Sequence, residues 1–180
     1  MAKRKLTLEM LIMALLGMAV LGACVSTPSE PVLPDSKTAV VYFFGYRSDE
    51  ATVWDSLTPI GDFSEGPRIG NIAYKTTPGE HYFLANTFNW ATLRANLKAN
   101  KTYYVRLAWI PNPVPYAKNF VAFDVLNQED GESWFNKSRT GEFSNEWRAD
   151  FAKDNKDLVE EAKKELNEAK KDKALEVRLK

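Results

Sequence analysis

Between Ala39 and Leu126 the apolar residues fall into short runs spaced roughly ten to twelve positions apart, with Gly, Pro, Asn and Asp between them. That is the rhythm of strands joined by turns rather than of helices. The first run, Ala39 to Tyr46 (AVVYFFGY), is β-branched and aromatic on both faces, which predicts a central buried strand. Further runs follow at Thr58–Phe63, Ile69–Lys75, Glu80–Thr87, Ala91–Leu97, Thr102–Ile110 and Asn119–Leu126. Two of them alternate cleanly. Leu93, Ala95 and Leu97 oppose Thr92, Arg94 and Asn96, and Tyr103, Val105, Leu107 and Trp109 oppose Tyr104, Arg106 and Ala108. With the polar turn Lys98–Lys101 between them, the pair is predicted to form a β-hairpin, and Val121, Phe123 and Val125 to join the same core. The fold expected is mainly β, an antiparallel immunoglobulin-like sandwich of about seven strands over residues 38–127.

The period changes after residue 127. Residues 128–144 are polar with isolated aromatics and predict a connecting segment pinned by Trp134, Phe135 and Phe143. From Asn145 the chain turns to Glu, Lys, Ala and Leu, and Trp147, Phe151, Leu158, Ala162, Leu166 and Ala169 form an apolar stripe at mostly helical spacing, broken at Lys173. A long C-terminal α-helix over 145–180 is expected, its acids Asp157, Glu160 and Glu161 preceding Lys163 and Lys164.

The start of the chain has a third pattern. Lys3, Arg4 and Lys5 precede an unbroken apolar run of 14 residues, Met10–Ala23. This is short of the ~20 residues that span a bilayer as a helix, so a cleaved signal is favoured over a permanent span. The run ends in Leu21, Gly22, Ala23 and Cys24, and Cys24 is the sole cysteine. This ending resembles the lipobox of bacterial lipoprotein precursors. The resemblance implies a signal peptide over 1–23, a diacylglyceryl group on the Cys24 thiol, cleavage before Cys24 and acylation of the new amino terminus. Two or three acyl chains hold a protein on a membrane stably, whereas one holds it marginally. Val25 stands where an Asp tends to retain such proteins in the inner membrane of enteric bacteria, so the resemblance favours the periplasmic face of the outer membrane. Residues 24–37 carry three prolines among Ser and Thr and predict an extended tether.

A second resemblance covers Ala39 to Leu126. The opening aromatic strand followed by Arg47, the stretch "IGNIAYKTTPGEHYF" with Pro78, Gly79 and His81 at its turn, and "LKANKTYYVRL" are similar to an uncharacterised β-sandwich family found in bacterial lipoproteins. Here Asn100 stands where that family has glycine, a position Asn tolerates because it visits the left-handed region. The resemblance implies no activity.

Charge and chemistry narrow the function classes. The full chain is balanced, and removal of three cations and one anion with the signal leaves the remainder near −2. Nucleic-acid binding through phosphate contacts is therefore not expected. His81 is the sole histidine, so a His-based metal site or a His pair is ruled out, and no G-x-S-x-G or phosphate-loop motif occurs. His81 is expected to be structural. The acids of "NQEDGE" (127–132) do not match an EF-hand, and Asp130-Gly131 reads as a turn. No metal and no cofactor is expected. Phe88 and Trp90 bracket Asn89 between two strands, and Trp109, Ile110, Pro111, Pro113, Pro115 and Tyr116 form a proline-rich connection. Phe88, Trp90, Trp109 and Tyr116 are thus the candidate binding surface, for an envelope protein or a glycan, against the alternative that these rings close the ends of a disulfide-free core. The reading as a whole is a lipid-anchored, non-catalytic binding or structural module of the bacterial envelope, held to the membrane through Cys24. A periplasmic hydrolase acting on envelope material is the alternative.

Overall fold

The computed structural model describes residues 30–45, 51–64, 69–111, 113 and 120–172. Among these, nine strands and three helices are present: β1 (Ala39–Phe44), β2 (Thr52–Asp55), β3 (Thr58–Asp62), β4 (Ile69–Thr76), β5 (Gly79–Asn86), β6 (Trp90–Leu97), β7 (Thr102–Ile110), β8 (Phe120–Leu126), α1 (Gln128–Phe135), β9 (Arg139–Gly141), α2 (Asn145–Asp154) and α3 (Lys156–Lys171). The protein is mainly β, with two sheets ordered β8-β7-β1-β4-β9 and β3-β2-β5-β6.

Both faces of β1 are buried, as its unbroken apolar run predicts. Val41 and Phe43 enter the core between the sheets, where they meet Val53, Phe83, Leu93, Val105 and Leu107. Val40, Tyr42 and Phe44 face the other way and are covered by Trp134 and Phe135 of α1 and by Val32 of the segment before the domain. A helical layer also covers the outer face of the second sheet. There Trp54 and Leu84 pack against Ala162 and Leu166 of α3 and Phe151 of α2. The order of layers is helix, sheet, sheet, helix. Covering both faces of the first sheet is the condition under which parallel pairing is normally found.

Parallel pairing is the first departure from the sequence expectation. β1 runs antiparallel to β4 but parallel to β7, and β9 is parallel to β4, so this sheet is mixed and not purely antiparallel. Nine strands replace the expected seven. β2 lies between the first two predicted runs, where no strand is expected, and β9 within the connecting segment.

The predicted β6–β7 hairpin does not form. β6 pairs with β5 and β7 pairs with β1 and β8, so Lys98–Lys101 arches from one sheet to the other. The alternating apolar faces of both strands do enter one core, from opposite walls. Alternation fixes which face is buried; it does not fix the partner strand. Asn100 takes the left-handed conformation at φ 57°, and its N–H donates to the carbonyls of Asp35 and Thr38, both at 2.9 Å.

Two helical expectations also change. Asp130-Gly131 lies inside α1, whose first turn is capped by the Asn127 side chain accepting from the Asp130 N–H. A side chain at Gly131 would meet Tyr104, with a Cβ only 2.1 Å from Cγ, so the glycine lets α1 lie close on β7. The single C-terminal helix is two, separated at Asn155 (φ −116°, ψ 50°). Its stripe docks as α2 and α3 on the second sheet, with Ala162, Leu166 and Ala169 buried. The expected break at Lys173 lies outside the described residues.

Candidate functional site

The two ends of the sandwich differ in chemistry. At the end formed by the Lys98–Lys101 arch and the turn before β5, the core is closed by polar groups. Asp55 on β2 and His81 on β5 point inward from the second sheet and Tyr74 from the first. Asp55 Oδ2 lies 2.7 Å from His81 Nδ1 and accepts from the Tyr74 hydroxyl at 3.1 Å. His81 Nε2 lies 2.9 Å from the Thr77 carbonyl oxygen. The ring stacks on Phe83 with centroids 5.7 Å apart and the two planes nearly parallel. The hydrogen bond to Asp55 holds the His81 pKa above its ordinary value, against the opposing effect of burial. Burial, followed by the Asp55 charge, pushes the Tyr74 hydroxyl up to about 12, and the Arg148 guanidinium sits 5.4 Å from the centre of its ring.

This cluster was not legible from the sequence, because its members lie far apart along the chain. What it can do is limited by how His81 is held. A histidine that activates a hydroxyl nucleophile keeps one ring nitrogen on an orienting acid and the other on the nucleophile. Here the second nitrogen faces a backbone carbonyl, so the arrangement joins the sheets rather than preparing a reaction. A groove of about 380 Å³ near the same end is lined by Lys98, Lys101, Tyr103, Tyr104 and Gln128 among others, without an acid or histidine. The acids Glu129 and Asp130 lie in the first turn of α1, which the Asn127 side chain caps. Among the described residues, no three His, Cys, Asp or Glu side chains converge as a metal site would require.

At the opposite end Asp62 is buried and accepts from Thr52 and Ser64 on the β2–β3 side, whereas the corner at the β5–β6 turn and the β7–β8 connection is apolar. The turn after β5 carries Phe88, whose ring lies 5.9 Å from that of Trp109 at the end of β7, and Phe88 is 63% exposed. Ile110 and Phe120 are register partners where β7 and β8 meet the connection between them, and they are 49% and 46% exposed. Pro111 and Pro113 are exposed as well. Asn89 fastens this end: its Oδ1 accepts from the Val121 N–H at 2.9 Å and its Nδ2 donates to the Val121 carbonyl at 3.3 Å, joining the β5–β6 turn to β8.

Of the aromatic residues singled out from the sequence, Phe88 and Trp109 come together. Trp90 does not join them. It packs against Trp54, 6.4 Å between rings, in the cluster beneath α2 and α3, because its place on β6 turns it to the outer face. Tyr116 lies outside the described residues, as do Leu21, Gly22, Ala23 and Cys24. Ile110 and Phe120 lie at the same end but, by strand phase, on the outer face of the first sheet, and they were missing from the set read from the sequence. The available signal was the alternation of β8, in which Phe120 is out of phase with Val121, Phe123 and Val125 and so belongs to the opposite face.

The chain matches no protein-family model, no curated protein and no solved structure. Among the described residues, no helix is long and apolar enough to cross a membrane.

Proposed function

We propose that the protein is a lipid-anchored bacterial envelope protein, held by acyl chains on Cys24 and acting as a non-catalytic binding or structural module. The observation that carries this reading is the succession of a basic start, a 14-residue apolar run, Leu21-Gly22-Ala23-Cys24 and a proline-rich tether. One assignment accounts for the lone cysteine, the length of the apolar run and the tether behind it. Val25 favours the periplasmic face of the outer membrane. The polar end of the core supports a non-catalytic module over a periplasmic hydrolase, since both nitrogens of its histidine are engaged by Asp55 and the Thr77 backbone. The apolar corner at the other end supports a contact role.

The test is Cys24→Ser in cells grown with a clickable fatty-acid analogue. The wild-type chain takes up the label and runs at the size of the processed form; the variant takes up none and keeps its leader. Labelling of the variant, or processing at another residue, refutes the anchor.

A further inference from the structure

The segment entering the domain lies on the outer face of the first sheet. The Tyr42 hydroxyl accepts from the Val32 N–H at 2.7 Å and donates to the Val32 carbonyl at 3.1 Å, which places Val32 level with Tyr42 and its register partner Tyr104. Three residues later Asp35 is at the arch end, accepting from Asn100 and pairing with Lys75 at 2.9 Å. Followed back toward the amino terminus, the described chain therefore runs from the arch toward the apolar tip. From Tyr104 to Ile110 is six residues of strand, ~20 Å at the usual rise. From Val32 to Cys24 is eight residues, with a reach of up to ~28 Å. Cys24 is thus within reach of the level of Ile110 and Phe120.

The two ends suit different surroundings. Asp35, Lys75, Lys98 and Lys101 surround the arch, whereas the described residues of the corner formed by the β5–β6 turn and the β7–β8 connection, 87–89, 109–111, 113, 120 and 121, contain no charged side chain, and Asp62 at the other corner of that end is buried against Thr52 and Ser64. Ile110, Pro111, Pro113 and Phe120 offer no side-chain donor, and the Asn89 amide is spent on Val121. A glycan site needs convergent polar groups, which the described residues of this surface lack. Exposed aliphatic and phenyl groups with a tryptophan beside them match the boundary between lipid headgroups and acyl chains.

We propose that this tip rests on the bilayer that carries the Cys24 acyl chains, with Phe88, Ile110 and Phe120 entering the headgroup boundary and Trp109 lying at it. The inference builds on the lipid-anchor reading and extends it: the domain is held at two points and does not swing freely on its tether. Its membrane-facing end is the tip, and the lysine-bearing arch faces away from the lipid.

The experiment uses the full acylated protein, purified from membranes and reconstituted into phosphatidylcholine vesicles with or without bromine on the acyl chains. Brominated lipid is expected to lower tryptophan emission by roughly a fifth, the share of one tryptophan among five. The drop disappears in Trp109→Phe, persists in Trp90→Phe, and is lost in the Ile110→Ser/Phe120→Ser double variant while that variant still floats with the vesicles. Emission insensitive to bromine in a protein that carries the fatty-acid label overturns the docking and leaves the anchor standing. So does an equal drop in wild type and Trp109→Phe. A Trp109-dependent drop on adding vesicles to protein without the label overturns the anchor and leaves the docking. Absence of both the label and the drop overturns both.

Discussion

The His81 cluster makes a prediction whose sign follows from its geometry. Both ring nitrogens face acceptors, Asp55 Oδ2 and the Thr77 carbonyl oxygen. Neutral imidazole has one donor and one acceptor, so only the imidazolium can donate to both. Losing the proton forfeits one of two hydrogen bonds and turns a lone pair toward an oxygen. With the His81 and Asp55 side chains 11% and 10% exposed, a charge-assisted bond of this kind contributes about 1.5–3 kcal/mol. The Tyr74 hydroxyl, the other group on Asp55, does not compete for this step: pushed up to about 12, it stays protonated and keeps donating to Asp55. The His81 pKa is raised in the folded state, so its stabilisation is complete below the unfolded value of about 6.5 and is lost as the pH rises through the folded value. The perturbation is His81→Gln, and the assay is urea unfolding followed by circular dichroism at steps from about pH 5 to about pH 9. The gap between wild type and variant is expected to be widest in acid and to narrow by about 1.5–3 kcal/mol toward the alkaline end. A gap that stays constant, or widens with pH, would mean that His81 is neutral in the native state and refute the argument.

Other predictions test how the helices dock. Gly131→Ala reverses the usual sign of a helical Gly→Ala change, normally a gain of up to about 1 kcal/mol, because the new methyl collides with the Cβ–Cγ end of Tyr104. A net loss of about 1–3 kcal/mol in urea unfolding is expected, and a gain would show that α1 does not lie on β7. Leu166→Ala, at a site 5% exposed beneath α3, should cost about 2–4 kcal/mol and speed amide exchange in α3 and around Trp54. Unchanged stability and exchange would place α3 off the sheet.

Much of the fold can be read from local patterns because burial leaves a local mark. β1 announces itself through six consecutive buried residues, β7 through its alternation, and α3 through Leu158, Ala162, Leu166 and Ala169. What escapes the sequence is pairing. The Lys98–Lys101 stretch has the length and polarity of a hairpin turn, and nothing local separates a turn within a sheet from an arch between sheets. β2 escapes for a different reason: it is four residues long, and its buried Asp55 reads as a loop residue until His81, 26 positions away, supplies the partner. The aromatic tip is half legible. Phe88 and Trp109 stand out by composition, whereas Trp90 is diverted to the outer face by the phase of β6, and Ile110 and Phe120 gain their place from a cross-strand register.

The parallel pairing of β1 with β7 also sets an order of events during synthesis. Val41 has Tyr74 on one side and Tyr103 on the other, so the central strand stays without its second neighbour until about sixty further residues have emerged. Its outer face waits longer still, for Trp134 and Phe135. Over that interval AVVYFF is an uncharged β-forming segment with at least one edge open, of the kind that seeds intermolecular strands. A chain of this topology completes its sheet late and depends on being kept apart from its copies while it waits.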